Sequence, residues 1–147
     1  MTNADQLEAL LVEDNPQDAE LTIRALKKRN LAQNLKVVED GAEALDFIFG
    51  KGKYAQREQP LLPKAVFLDL KLPKVNGLEV LRAMKADERT RTIPVVLLTS
   101  SRQDEDIRFA YELGANSYLV KSLDSDTFQH DIGNIGFYWL RLNHVPT

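Results

Sequence analysis

Residues 65–69 read Ala65-Val66-Phe67-Leu68-Asp69, a short apolar run that is followed at once by a carboxylate. Short apolar runs of this kind are typical of buried strands. The same arrangement recurs three times, where residues 9–12 precede Glu13 and Asp14, residues 95–98 precede Thr99 and Ser100, and residues 117–120 precede Lys121. Because ligands of an open parallel sheet bind outside the carboxyl ends of its strands, these polar side chains are predicted to converge at one edge.

The segments between the apolar runs have helical patterns, and this alternation predicts a doubly wound α/β domain. Residues 35–38 supply the remaining strand. Helix starts are indicated by Asp14-Asn15-Pro16, by a capping box at residues 40–43, by Gly77, by Ser101 with Asp104, and by Asp124. The last helix is predicted to run to about Leu140. The polar loop over residues 51–64 is longer than is usual in such a domain.

Length and composition are those of one globular domain. The chain has 147 residues and a net charge of −3, which gives no support to nucleic-acid binding. It has no cysteine, so thiolate chemistry and disulfides are excluded. No apolar run approaches the roughly 20 residues of a membrane span, and residues 1–5 lack the basic start of a signal peptide. We therefore expect a cytoplasmic protein with no membrane contact.

The polar residues at the strand ends indicate phosphoryl chemistry. Clustered carboxylates repel one another unless a cation lies among them, and their hard oxygen ligands suit Mg²⁺. A lysine supplies a point charge for phosphate oxygens, and a hydroxyl supplies a hydrogen bond. Together these groups describe a site for phosphoryl transfer to a carboxylate. Asp69, which stands alone after the third apolar run, is the predicted acceptor.

Four stretches resemble the motifs of the response-regulator receiver domain, and the likeness covers nearly the whole chain. They are Leu10-Leu11-Val12-Glu13-Asp14-Asn15, Phe67-Leu68-Asp69-Leu70-Lys71-Leu72-Pro73-Lys74-Val75-Asn76-Gly77, Ile93-Pro94-Val95-Val96-Leu97-Leu98-Thr99 and Gly114-Ala115-Asn116-Ser117-Tyr118-Leu119-Val120-Lys121. The resemblance implies a flavodoxin-like fold, in which five helices flank a five-stranded parallel sheet of strand order 2-1-3-4-5.

The resemblance also implies a role for each strand-end residue. Asp69 would be the phosphorylated aspartate, Thr99 would contact the phosphoryl group, and Lys121 would pair with it. Tyr118 would be the aromatic switch residue whose rotamer follows the position of Thr99. The implied Mg²⁺ ligands are the carboxylates of Glu13, Asp14 and Asp69 and the backbone carbonyl of Lys71.

The step after Lys121 departs from the family pattern. Most receivers have a proline there, commonly with a cis peptide, whereas this chain has Ser122. A cis bond before a residue other than proline costs about 2.5 to 4 kcal/mol, so a trans bond is expected. The Lys121-Ser122 step, the long loop and the ending Phe137-Tyr138-Trp139-Leu140 resemble the stand-alone regulators of bacterial and cyanobacterial phytochromes. This resemblance implies a sensor histidine kinase of the phytochrome type as the partner.

We therefore expect a single receiver domain over residues 1–147, with no output domain. It would assist its own phosphorylation and dephosphorylation without being an enzyme, and it would signal through contacts with a downstream protein or a phosphotransfer domain. One alternative is a Mg²⁺-dependent phosphohydrolase with an aspartyl nucleophile, although such enzymes commonly have an aspartate where Lys71 stands. The other is a pseudo-receiver that only binds a partner, although its usual signature is the loss of an acidic or lysine position.

Three site residues also have structural interpretations. Asp14 could cap the first helix, with or without binding a metal. Thr99 could satisfy local backbone groups at the end of its strand. Tyr118 could simply pack, because an aromatic residue suits any strand.

The last helix indicates self-association. Phe128, Ile132, Ile135 and Trp139 form one apolar stripe that should face the sheet. At about 100° per residue, Phe137 and Leu140 lie off that stripe and should be exposed on a monomer, on a side shared with Gly133. We therefore expect a homodimer through the last helix and its neighbouring strand, with Phe137 and Leu140 at the interface.

Overall fold

The computed structural model describes residues 7–56 and 62–146 of the chain. Residues 1–5, from which we expect no signal peptide, lie outside this range, as do residues 57–61 of the long loop. The strands are β1 (Ala9–Val12), β2 (Leu35–Val38), β3 (Ala65–Leu68), β4 (Val95–Thr99) and β5 (Ser117–Val120). The helices are α1 (Pro16–Lys28), α2 (Gly41–Phe49), α3 (Gly77–Ala86), α4 (Asp104–Glu112) and α5 (Ser125–Phe137), with a 3₁₀ turn at Gly52–Tyr54 and a π-helical turn at Tyr138–Leu142.

The five strands form one parallel sheet in the order β2-β1-β3-β4-β5, which confirms the predicted fold. Alternate residues of each strand face opposite sides of the sheet. Thus Val66 and Leu68 join a core that is closed by α2, α3 and α4, whereas Phe67 joins a core that is closed by α1 and α5. Because helices cover both faces, the strands β1 and β3 are apolar throughout. Among the described residues, no helix is long and apolar enough to cross a membrane.

The first helix is capped by Asn15 and not by Asp14. The Asn15 side chain accepts hydrogen bonds from the backbone N–H groups of Gln17 and Asp18, at 2.9 and 3.1 Å. The suggested capping role of Asp14 is therefore wrong, because Asn15 already satisfies these N–H groups. Asp14 remains exposed beside the sheet edge.

The helix starts at Asp40 and Asp124 are confirmed, whereas α4 begins later than predicted. The Asp40 side chain accepts from the Glu43 N–H at 2.7 Å, and Asp124 caps α5 in the same way. By contrast, α4 begins at Asp104, after a cap position occupied by Gln103. Ser101 cannot cap it, because the Ser101 hydroxyl accepts from the Gln103 N–H at 3.3 Å within the preceding loop.

The last helix confirms part of the predicted exposure pattern and contradicts the rest. Phe128 and Ile132 are buried, as expected of the stripe, and Phe137 is 42% exposed. Leu140 is only 4% exposed, so its predicted place on an open surface is wrong. The helix widens into its π-helical turn just before Leu140, and a wider turn rotates the following residues relative to an ideal α-helix.

The prediction for Gly133 is also wrong, because α1 covers this side of α5. A Cβ atom on Gly133 would lie 2.8 Å from Nε of Arg29, and a Cβ atom on Gly136 would lie 2.5 Å from a methyl group of Leu26. Gly136 therefore makes room for Leu26 of α1, and Gly133 makes room for the Arg29 side chain that follows α1. Leu140 belongs to the same hydrophobic cluster as Leu26.

Candidate functional site

Three carboxylates meet at the carboxyl ends of β1 and β3. Glu13 and Asp14 follow β1, Asp69 follows β3, and oxygen atoms of the three side chains lie within 4.8 Å of one another. Glu13 and Asp69 are buried, whereas Asp14 is exposed. Within residues 7–56 and 62–146, this is the one acidic group with the spacing of a metal site. The structure thus brings together the carboxylates that the sequence predicted to converge.

Lys121, at the end of β5, reaches across the sheet edge into this cluster. Its Nζ donates to Oε1 of Glu13 at 2.7 Å, to Oδ2 of Asp18 at 2.9 Å and to Oδ2 of Asp69 at 3.2 Å. No cis peptide bond occurs in the described chain, so the trans bond expected between Lys121 and Ser122 is confirmed. The serine therefore does not keep Lys121 away from the predicted site.

Sequence reasoning missed Asp18 as a member of this group. An acidic residue in the first turn of a helix is usually explained by the helix dipole, and Asp18 fits that description. A weak signal was present, since α1 begins soon after the strand-end acids Glu13 and Asp14, and its first turn, which contains Asp18, therefore lies near the carboxyl edge of the sheet.

Burial and charge both perturb the acids and the lysine of the cluster. The pKa of Glu13 is raised to about 8, mainly by burial and then by the hydrogen-bonded Asp69, while Lys121 opposes the change. For Lys121, burial lowers the pKa, but the hydrogen bonds with Glu13 and Asp18 outweigh this effect and raise it. Three carboxylates thus meet one ammonium group, and Asp14 lies beside two of them, so that acids outnumber the lysine at the site.

This donor set fits a divalent cation such as Mg²⁺. Mg²⁺ binds oxygen ligands at about 2.0–2.1 Å and usually takes only one or two carboxylates with several waters. Oxygen atoms within 4.8 Å of one another require little movement to share such an ion. Burial and the neighbouring Asp69 together raise the pKa of Glu13, and a cation bound among these acids would favour the charged carboxylate.

The loop between β3 and α3 is held at both of its ends. The Lys71 N–H donates to Oδ1 of Asp69 at 3.2 Å, and the Gly77 N–H donates to the carbonyl of Leu70 at 2.9 Å. Lys74, whose φ of 67° is left-handed, lies with its Nζ 3.6 Å from Oδ2 of Asp40. The Lys71 carbonyl remains a predicted metal ligand on this restrained loop.

The predicted switch residues are connected through Ser101. Thr99 is buried, and its Oγ1 accepts from the Ser101 N–H at 3.3 Å. The Tyr118 hydroxyl donates to the Ser101 carbonyl at 3.0 Å, and burial raises the pKa of that hydroxyl. Thr99 does satisfy a local backbone group, and Tyr118 does pack against the core. The loop between β4 and α4 nevertheless joins these two side chains through one residue.

Comparison with known proteins identifies the family. The family model described as the response regulator receiver domain matches residues 9–132. A probable methanogenesis regulatory protein, FilR2 of Methanothrix harundinacea, is 42% identical over 93% of this chain and 86% of its own length. Response regulator Rcp1 of Synechocystis sp. is 36% identical over 93% of this chain and 91% of its own length.

Solved structures of response regulators also resemble this chain along nearly its whole length. The crystal structure of a phosphorylated cyanobacterial phytochrome response regulator, RcpA, has a TM-score of 0.87 and 34% identity, and covers 97% of this chain and 99% of its own. The Mn²⁺-bound form of Rcp1 has a TM-score of 0.86 and 34% identity, over 95% of this chain and 98% of that one. The resemblance extends over the carboxyl edge of the sheet, where the acidic cluster lies.

Proposed function

Because this chain belongs to the response regulator receiver domain family, we propose that it receives a phosphoryl group on Asp69 from a partner histidine kinase. The observation that carries the proposal is the position of Asp69 among Glu13, Asp14 and Lys121. Asp69 follows a central strand, and its side chain is only 11% exposed, with Lys121 already within hydrogen-bond distance. An acceptor oxygen that is held in place needs less reorganisation when a donor docks.

The transfer makes one bond and breaks one bond. A carboxylate oxygen of Asp69 attacks the phosphorus of the kinase phosphohistidine, the N–P bond breaks, and its electron pair remains on the imidazole nitrogen. Before the transfer, Oδ2 of Asp69 accepts a hydrogen bond from Nζ of Lys121, and Oδ1 accepts a hydrogen bond from the Lys71 N–H. When bound, Mg²⁺ would neutralise the phosphoryl oxygens and the carboxylates of the cluster.

Lys121 and Thr99 act on the transferred group. The Lys121 ammonium offsets the charge of the phosphoryl oxygens, since a lysine in such a site acts as a point charge. The Thr99 hydroxyl donates to one of those oxygens, and the rotation that directs it there would alter the hydrogen bond that its Oγ1 now accepts from the Ser101 N–H. The Ser101 carbonyl also accepts a hydrogen bond from the Tyr118 hydroxyl, so a change at Thr99 would reach Tyr118 and the surface beside β5.

The proposed partner is a phytochrome-type histidine kinase. Support comes from RcpA, the phytochrome response regulator that resembles this chain along almost its full length. We place the exchange in the cytoplasm, where the ATP that charges a histidine kinase is available. The output is proposed to be a protein contact, made by the receiver surface with a downstream protein or a phosphotransfer domain.

The receiver is further proposed to form a homodimer through its carboxyl-terminal helix. Phe137, Tyr138 and Leu142 are exposed by 42%, 47% and 54%, respectively. They lie on the last turns of one helical segment and form an apolar surface that a second copy could cover. Leu140 is not part of this surface, because it is buried within its own chain.

Intact-mass measurement tests the acceptor. Incubation with acetyl phosphate and Mg²⁺ is expected to add one phosphoryl group to the wild type and none to Asp69→Asn. Asp104→Asn, which changes an exposed carboxylate at the start of α4, serves as the matched control and should be labelled normally. Unchanged labelling of Asp69→Asn would place the acceptor elsewhere.

The same reaction distinguishes the other two functions. A phosphohydrolase would release inorganic phosphate from excess donor over many turnovers, and a pseudo-receiver would acquire no label. Phosphotransfer from a purified phytochrome kinase should be faster than transfer from an unrelated kinase, and it should change with red and far-red light. Equal rates from both kinases would reject the phytochrome partner while leaving Asp69 as the acceptor.

A further inference from the structure

The ammonium group of Lys121 has no hydrogen to spare. It carries three N–H donors, and these meet the carboxylates of Glu13, Asp18 and Asp69 at 2.7, 2.9 and 3.2 Å. Any further acceptor must therefore take a donor from one of these partners or share it. A phosphoryl group on Asp69 would bring such an acceptor.

Asp18 differs from the other two partners. Glu13 and Asp69 belong to the cluster with metal-ligand spacing, whereas Asp18 lies on α1, outside that cluster. The side chain of Asp18 is 31% exposed, compared with 1% for Glu13 and 11% for Asp69. Water can therefore solvate Asp18 after it releases Lys121, whereas release of Glu13 would leave a buried acceptor oxygen without its donor.

The backbone of Asp18 is fixed on both sides. Its N–H donates to Oδ1 of Asn15 at 3.1 Å, and its carbonyl accepts from Oγ1 of Thr22 at 2.8 Å. Release of Lys121 therefore requires a rotation of the Asp18 side chain and no movement of α1. Such a rotation is a small and reversible step.

We propose that Asp18 is a positioning residue that holds Lys121 before phosphorylation and then competes with the phosphoryl group for the same ammonium hydrogen. This inference rests on the proposed function of Asp69. Asp18 keeps Lys121 beside the acceptor before the reaction, and it weakens the hold of Lys121 on the product. The residue thereby sets how strongly the phosphorylated form is favoured.

The test uses beryllofluoride, a non-covalent analogue of the phosphoryl group, at saturating Mg²⁺. Asp18→Asn keeps the size of the side chain and removes its charge. Since a partly exposed ion pair contributes up to about 1 kcal/mol, the variant should bind beryllofluoride about threefold to fivefold more tightly. Asp18→Glu restores the charge and should return the affinity toward that of the wild type. Glu20→Gln, an exposed carboxylate on the same helix, should leave it unchanged.

A second measurement reports on Lys121 directly. The ¹⁵N-detected signal of the Lys121 ammonium group should shift in free Asp18→Asn relative to the free wild type, but not in Glu20→Gln. The affinity gain should persist at 0.5 M salt, because high salt screens the general charge of exposed carboxylates more than a direct contact. A gain that salt abolishes would overturn the proposal.

The outcomes separate this inference from the proposed function. If the wild type does not bind beryllofluoride with Mg²⁺, both proposals are overturned. If the wild type binds it and Asp18→Asn binds equally or more weakly, only the role of Asp18 is overturned. Tighter binding by Asp18→Asn together with the shifted Lys121 signal would support the competition.

Discussion

A Cβ atom on Gly41 would lie 1.8 Å from the carbonyl oxygen of Val75. Gly41 is the first residue of α2, and Val75 belongs to the loop between β3 and α3. The backbones of these two elements are thus in direct contact. The same loop carries Lys71, the residue whose carbonyl is a predicted metal ligand. The start of α2 consequently supports one wall of the site.

Replacing Gly41 with alanine should therefore disturb the metal site from a distance. Gly41→Ala must push the loop away, and overpacking of this kind costs about 1 to 3 kcal/mol of unfolding free energy. We expect weaker Mg²⁺ binding as well, measured by calorimetric titration. Gly50→Ala is the control, because Gly50 has a left-handed φ of 67° but no atom within 4 Å of its Cβ position. Gly50→Ala should lose stability and retain its Mg²⁺ affinity. Equal Mg²⁺ affinities in the two variants would argue that the start of α2 does not support the metal site.

Mg²⁺ should stabilise the fold through Asp14. A ligand that binds the folded state alone stabilises it by about 2.7 kcal/mol when its concentration is 100 times its dissociation constant. The melting temperature of the wild type should therefore rise on addition of millimolar Mg²⁺, and Asp14→Ala should lose this response. Asp104→Asn should keep it. A wild-type melting temperature that ignores Mg²⁺ while Asp69 still becomes phosphorylated would contradict the proposed ligand set.

Without metal, the raised pKa of Glu13 should make the fold less stable as pH rises. Between about pH 4.5 and pH 8, the folded state retains a proton on Glu13 that the unfolded state releases. The free energy of unfolding should thus fall across this window in EDTA, by at most about 1.4 kcal/mol per pH unit from this group. Urea unfolding at several pH values measures the slope. Glu13→Gln should flatten it, and Glu20→Gln should not; a slope that Glu13→Gln leaves intact would belong to other groups.

Loss of the Tyr118 hydroxyl should weaken the connection between Asp69 and the surface beside β5 without preventing phosphorylation of Asp69. Tyr118→Phe removes the 3.0 Å hydrogen bond to Ser101 and should cost about 1 kcal/mol of unfolding free energy. Labelling of Asp69 should remain complete by intact mass. In this variant, beryllofluoride should change the backbone NMR shifts of residues beyond Ser101 less than it does in the wild type. Changes as large as those in the wild type would mean that Tyr118 only packs against its neighbours.

Phe137 and Leu140 should respond differently to substitution. Phe137→Glu places a charge on the exposed apolar surface and should convert a dimer to a monomer in light scattering at micromolar concentration. Leu140→Ala should instead cost about 2 to 5 kcal/mol of unfolding free energy, because it leaves a cavity in the core. A wild type that is monomeric with and without phosphorylation would reject the dimer. A dimer that tolerates Phe137→Glu would use another face.

The fold and the acidic cluster could be predicted because their determinants are local in sequence. Each strand is a short apolar run, and a residue directly after a parallel strand must lie at the carboxyl edge of the sheet. For that reason Glu13, Asp69 and Lys121 meet, although Lys121 is 108 residues from Glu13. The family motifs implied the role of each position, since they occur in the expected order along the chain.

Contacts that depend on neighbouring helices could not be predicted in this way. The sequence predicts an exposed Leu140, because an ideal helical wheel contains neither the π-helical turn nor the covering helix α1. The sequence presents Asp18 as a simple first-turn acid, and only the path of the Lys121 side chain shows the hydrogen bond between the two. Sequence alone determined which residues end each strand, because strand position follows from local hydrophobicity. The tertiary structure decided which side chains share a partner, because that depends on how separate helices pack against the same sheet edge.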